Sequence, residues 1–141
     1  MQTAVVERQP LKVHTASSQH IRLLKTLGCG AHHLENLVFS FMREFCAEYQ
    51  GGAWEYCEDP SSRTWYMRPI DSRQSIHLSV FGNYFDEKVS PDAAGVIVTL
   101  FALNTLCYRF TNEPRIFDAF ERLKSLAVDH LERPAIFRAI N

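Results

Sequence analysis

The chain has 141 residues, of which 46% are hydrophobic and 22% charged, so it can hold one domain with a real core and is not globally disordered. Fifteen Lys and Arg stand against sixteen Asp and Glu, a formal net charge of -1. That balance excludes the basic surplus by which a general nucleic-acid binder displaces counterions. It equally excludes the acidic surplus needed to imitate DNA, roughly one charge per 1.7 Å of duplex.

Residues 1–20 are polar, mixed and without period, and are expected to form a loose arm ahead of a single domain over 21–141. Glu7, Arg8 and Pro10 break up the short apolar stretch there, so it reads as no signal-peptide core. Four cysteines without such a core suggest reduced thiols in a cytoplasm. Ile21 to Leu27 is predicted as a short helix closed by Gly28 and Gly30. From Ala31 to Tyr49, Leu34, Leu37, Val38, Phe41, Met42, Phe45, Cys46 and Tyr49 recur at the three-four spacing of an amphipathic helix. Gln50-Gly51-Gly52 is expected to stop it. Charge is uneven here: six acids and one base, Arg43, lie between Glu35 and Asp59. Such a face can steer a basic partner, although a solvated helix flank explains it as simply.

Short aromatic, alternating segments follow. Ala53 to Cys57 and Thr64 to Arg68 read as strands joined through Asp59-Pro60-Ser61-Ser62, and Ser75 to Phe81 and Tyr84 to Val89 as strands turned by Gly82-Asn83. Their tight connections predict an antiparallel meander, since parallel pairing needs long crossovers. Ser90-Pro91-Asp92 then announces a helix with a capping hydroxyl, a proline at the first position and a carboxylate at the positive end. This helix, to about Phe110, is apolar on nearly every side through Leu103 and belongs in the core. Its eleven-residue apolar run, Ala93 to Leu103, is short of the ~20 residues of a bilayer span, so no membrane is expected. Glu113-Pro114 starts another helix and Pro134 a last one. Helix, four strands, then helices predict an α+β fold: one four-stranded, mainly antiparallel sheet packed against helices, with a nearly all-apolar central helix.

The chain contains no phosphate loop, nucleophile elbow, zinc-protease helix or dinucleotide fingerprint. Cys29, His32 and His33 have ligand-like spacing but form only part of a four-ligand zinc site, with His14 and His20 as further donors, and a plain loop is the simpler reading. Cys46 and Cys107 lie on apolar helix stripes as small hydrophobes. Cys57 is followed by Glu58 and Asp59, whose charges oppose a reactive thiolate. No catalytic centre, cofactor or metal is expected. Strand alternation does collect one polar set. If Trp54, Tyr56, Trp65, Met67, Ile76, Leu78 and Val80 face the helices, Glu55, Tyr66, Arg68, His77 and Ser79 share the opposite face. That face can take a partner, or can be an ordinary solvated surface with cross-strand ion pairs.

Several longer segments share a further pattern: ENLVFSFMREFCAEYQGGAWEYCE from Glu35, Trp65-Tyr66-Met67-Arg68-Pro69, Gly82-Asn83-Tyr84-Phe85, VSPDAAGVIVTLFALNTL from Val89, and the ending Ala135 to Asn141. In this order, over about four fifths of the chain, they resemble the ArdB/KlcA family of antirestriction proteins. The resemblance implies an α+β domain encoded on plasmids or other mobile elements. It further implies protection of incoming DNA from host type I restriction-modification enzymes, by contact with that complex or interference with its translocation. Arg22, Glu35 and Trp54 fall on polar or aromatic sites of the family pattern. The chain departs from that pattern between Arg22 and Glu35, at Pro60-Ser61-Ser62-Arg63 where paired glycines are common, and at Asn141 where an Asp is usual. The alternatives are a general protein-interaction adaptor or regulator on the same scaffold, and a small Cys/His-dependent hydrolase or metalloprotein.

Overall fold

The computed structural model describes residues 12–14, 23 and 25–141. Arg22, most of the expected arm and part of the expected first helix lie outside them. Residues 25–27 are helical and run into a 3-10 turn, Gly28–Gly30, before helix α1, Ala31–Phe45. Helix α1 buries Ala31, Leu34, Val38, Met42 and Phe45, one stripe of the expected spacing. It ends four residues sooner than the glycines suggest, because Cys46 is already extended. Tyr49 turns back toward the next strand, where its hydroxyl accepts the Trp54 Nε1 hydrogen bond at 3.0 Å.

The strands are β1 (Lys12–His14), β2 (Trp54–Asp59), β3 (Thr64–Pro69), β4 (Ile76–Val80) and β5 (Phe85–Val89). Strand β1, within the segment read as an arm, pairs antiparallel with β2. The four strands foreseen in the sequence occur, but they do not form one meander. β2 pairs with β3 and β4 with β5, in two separate antiparallel sheets. Helix α2 occupies the place where β4 would have joined. The Met67 amide donates to Thr99 Oγ1 at 3.1 Å, and the Thr99 hydroxyl donates back to the Met67 carbonyl at 3.4 Å. Pro69, which shares the outward direction of Met67 along the strand, has no N–H to offer. A helix side chain thus satisfies Met67 on the outer edge of β3, while 70–75 turns away, held by Arg73 against Asp71 and Glu48.

Helix α2, Pro91–Arg109, begins as its sequence announces: Ser90 Oγ accepts from the Ala93 amide at 3.0 Å, with Pro91 in the first turn. Residues Ala93 through Leu100 are all buried, more than two full turns, so every side of this half of the helix faces protein. By length and composition alone α2 is apolar enough to cross a membrane; its enclosure accounts for that composition. Gly95 permits the close approach to β3, since a Cβ there would stand 2.3 Å from the Met67 carbonyl oxygen. Helices α3 (Pro114–Val128) and α4 (Arg133–Ile140) complete the layer on α2. Strands and helices are segregated along the chain, which makes the fold α+β.

Candidate functional site

The polar residues singled out on β2 and β3 converge, with partners from elsewhere, at the start of α2. In the β2–β3 register Glu55 lies opposite Arg68 and Cys57 opposite Tyr66, so alternation places all four on one face. Arg68 reaches Glu55 Oε1 with Nε at 2.7 Å and Nη2 at 2.6 Å, and Asp92 Oδ1 with Nη1 at 2.8 Å. The Tyr66 hydroxyl donates to the same Asp92 oxygen at 2.7 Å. The other Asp92 oxygen accepts from His130 Nε2 at 2.7 Å. The imidazole tautomer follows from its second contact: the Glu132 amide donates to His130 Nδ1 at 2.9 Å, so the proton resides on Nε2. Glu132 closes the network by accepting from the Ser90 amide at 2.9 Å and from the Ser90 hydroxyl. One chain of contacts therefore links β2, β3, the start of α2 and the α3–α4 connection.

The electrostatics suit a fastener rather than a reaction centre. Burial works to raise the Asp92 carboxyl, but hydrogen bonds from His130, Tyr66 and Arg68 outweigh it and hold the group at about 2. Burial opposes the charge on Arg68, yet its bonds to Asp92 and Glu55 keep the guanidinium more firmly protonated than usual. Burial, reinforced by Asp92, pushes the Tyr66 hydroxyl upward, and burial pushes the Cys57 thiol up to about 12. A neutral thiol, a neutral phenol and carboxylates tied to Arg68 and His130 leave no nucleophile or general base poised for attack.

The remaining residues named from the sequence lie elsewhere. Glu35, on α1, is half-buried and accepts a hydrogen bond from the Tyr56 hydroxyl on the other face of the hairpin. Trp54 is buried, tilted against Phe39 with ring centroids 5.6 Å apart. Arg22 is outside the described residues. His77 does not join Glu55, Tyr66 and Arg68: it lies on the second sheet, exposed, beside Asp86. Nor is the shared face an open one, for Tyr66 is buried beneath the start of α2. The sequence marked Asp92 only as a helix-end acid, and gave no sign of His130, which meets it from 38 positions away. Around Cys29, His33 stacks on Phe110 with centroids 5.6 Å apart, and among the described residues no three His, Cys, Asp or Glu are grouped as metal ligands.

Comparison with known proteins bears on the whole arrangement. A family profile described as antirestriction protein matches residues 47–141, which include β2 to β5 and α2 to α4. The antirestriction protein KlcA of Escherichia coli is 38% identical over 110 residues, covering 76% of this chain and 74% of that protein. A second Escherichia coli KlcA is 34% identical over 110 residues, covering 76% of each. A solved structure superposes over 100% of both chains with a TM-score of 0.78 and 33% identity. It comes from work on KlcA and ArdB, described as showing a novel fold and antirestriction activity against Type I DNA restriction systems in vivo but not in vitro. Profile, relatives and superposition agree over the elements that build the fold, and on them the chain belongs to the antirestriction protein family.

Proposed function

We propose that this chain protects incoming mobile-element DNA in the cytoplasm by inhibiting the host's type I restriction-modification system, through protein contact and not by posing as DNA. The end-to-end superposition on a KlcA/ArdB structure carries this reading. The way carboxylates are used supports its second half. Glu35 is bonded to Tyr56, Glu48 and Asp71 to Arg73, Glu55 and Asp92 to Arg68, Asp86 to His77, Glu87 to Arg138 and Glu113 to Arg115. Acids engaged in this way do not line up as a strip of free charges repeating every ~1.7 Å. Among the candidate contact residues, exposed His77 and the half-buried Glu35, Glu55 and Arg68 can touch a partner, while Tyr66 and Trp54 contribute through packing.

The test is done in cells. Unmodified DNA is introduced into hosts with and without an active type I system, each with and without the chain. Expression is expected to raise recovery of that DNA only where the system is active. Unchanged recovery in the restricting host, at confirmed soluble expression, sinks the proposal. Glu35→Gln, which keeps a partner for Tyr56 but removes the charge, is expected to retain the fold and to lower protection if that carboxylate meets the partner.

A further inference from the structure

The connection between β4 and β5 carries two aromatic side chains that the fold does not use. Phe81 is 93% exposed and Tyr84 98%, the highest exposures among the described Phe, Tyr and Trp residues. Tyr108 and Phe117 are also exposed, but less so and on different helices, and Leu131 is a single aliphatic side chain on the α3–α4 connection. The backbone beneath the two rings is held in place. The Tyr84 amide donates to the Phe81 carbonyl at 3.2 Å, and Asn83 Nδ2 donates to the Ala139 carbonyl at 2.6 Å. Arg138 Nη2 reaches Glu87 Oε1 at 2.6 Å, a second tie between this hairpin and α4. Tyr84 sits at φ +55°, in the left-handed region that residues with a Cβ rarely adopt. A strained position whose side chain meets only water points to a use outside the fold.

We propose that Phe81 and Tyr84 form the anchor by which the chain grips a protein that handles DNA, a subunit of the type I restriction complex. This rests on the reading that the chain acts on that complex. Rings standing out from a rigid turn enter an apolar pocket at small entropic cost, and buried aromatics carry much of the affinity of protein interfaces. The charge beside the turn selects the kind of pocket. Next along the hairpin come Asp86, exposed beside the His77 ring, and Glu87, paired with Arg138. Ser79 and Val80 on the facing strand carry no charge, and Lys88 lies farther along. Two acids against one base give the rim an acidic excess, suited to a basic surface and unsuited to an anionic membrane. A complex that holds DNA has basic surface by necessity, since it must offset phosphate charge.

In a host with an active type I system, the double variant Phe81→Ser/Tyr84→Gly is expected to lose about tenfold or more of the protection given by the parent. Leu131→Ser, which removes an equally exposed apolar side chain elsewhere, is expected to keep it. Melting curves verify that both stay folded, as expected where neither ring is buried and glycine suits the left-handed backbone. A second arm does not depend on protection. A photo-crosslinking phenylalanine analogue replaces Phe81 in the same cells. Irradiation is expected to join it to a subunit of the restriction complex, identified by mass, and far less so when Tyr84→Gly is added. The inference is overturned by full protection from the folded double variant, by an equal loss in Leu131→Ser, or by absence of that adduct. Adducts with lipid or with a second copy of this chain in its place overturn it as well. A parent that gives no protection sinks the functional reading instead, and the adduct then decides the contact on its own.

Discussion

Asp92 receives hydrogen bonds from three side chains that are distant from it in sequence. Its carboxyl is depressed in the folded protein from an ordinary 3.8 to about 2. The stabilisation it provides is therefore complete above pH ~3.8 and disappears as the pH falls through about 2, on the order of 2 kcal/mol in all. Urea unfolding from pH 5 down to pH 2 is expected to show Asp92→Asn losing less stability over that interval than the unaltered protein; identical pH profiles would mean the network does not hold in solution. Tyr84 invites a different test. It is 98% exposed and has φ +55°, so its side chain gives little packing in return for a strained backbone. Relief of that strain in Tyr84→Gly outweighs the added freedom of the unfolded glycine. The melting temperature is expected to hold or rise, by the equivalent of about 0–1 kcal/mol. Alternation in the sequence placed Glu55, Tyr66 and Arg68 on one face correctly. It could not show that α2 covers that face, because a period-two pattern encodes which way side chains point and not what docks on them.

Most elements begin and end within a residue or two of where capping residues and turn chemistry put them, as Ser90 and Pro91 do for α2. Pairing between elements was less legible. Tight connections argued for a single meander, yet the one polar residue inside the apolar run, Thr99, completes β3 in place of a fourth strand. In sequence it registers only as an interruption. Two substitutions test this junction. Gly95→Ala would drive a methyl into the Met67 carbonyl oxygen and to within 2.9 Å of Arg68 Cα, both backbone atoms that cannot swing aside. A loss of roughly 2–3 kcal/mol is expected in chemical denaturation. Thr99→Val keeps the shape but strands a buried amide, at about 1–3 kcal/mol. If either variant is as stable as the parent, α2 does not lie against β3 as described.

Across the whole molecule, balance of charge in the sequence becomes local pairing of charge in space. The acidic stretch from Glu35 to Asp59 does not form a free face: Tyr56, Arg73 and Arg68 take up Glu35, Glu48 and Glu55, and Ser61 and Ser62 take up Asp59. Linear charge counting missed this because the two charged partners, Arg68 and Arg73, come from outside the stretch. Stability is also unevenly distributed. The first half of helix α2, enclosed on every side over residues 93–100, is expected to hold its amide protons longest in native-state hydrogen exchange, while the two-stranded β4–β5 sheet exchanges sooner. Faster exchange in α2 than in β4–β5 would contradict the arrangement of layers.

Sheet borders with unoccupied peptide groups let foreign chains zip on and seed fibrils. Here a single threonine hydroxyl and a proline close that route on one flank of β3. That flank of β3 should accordingly not recruit a second chain during high expression. The Thr99→Val form should instead show earlier thioflavin-positive aggregation, even at temperatures where the monomer is still folded.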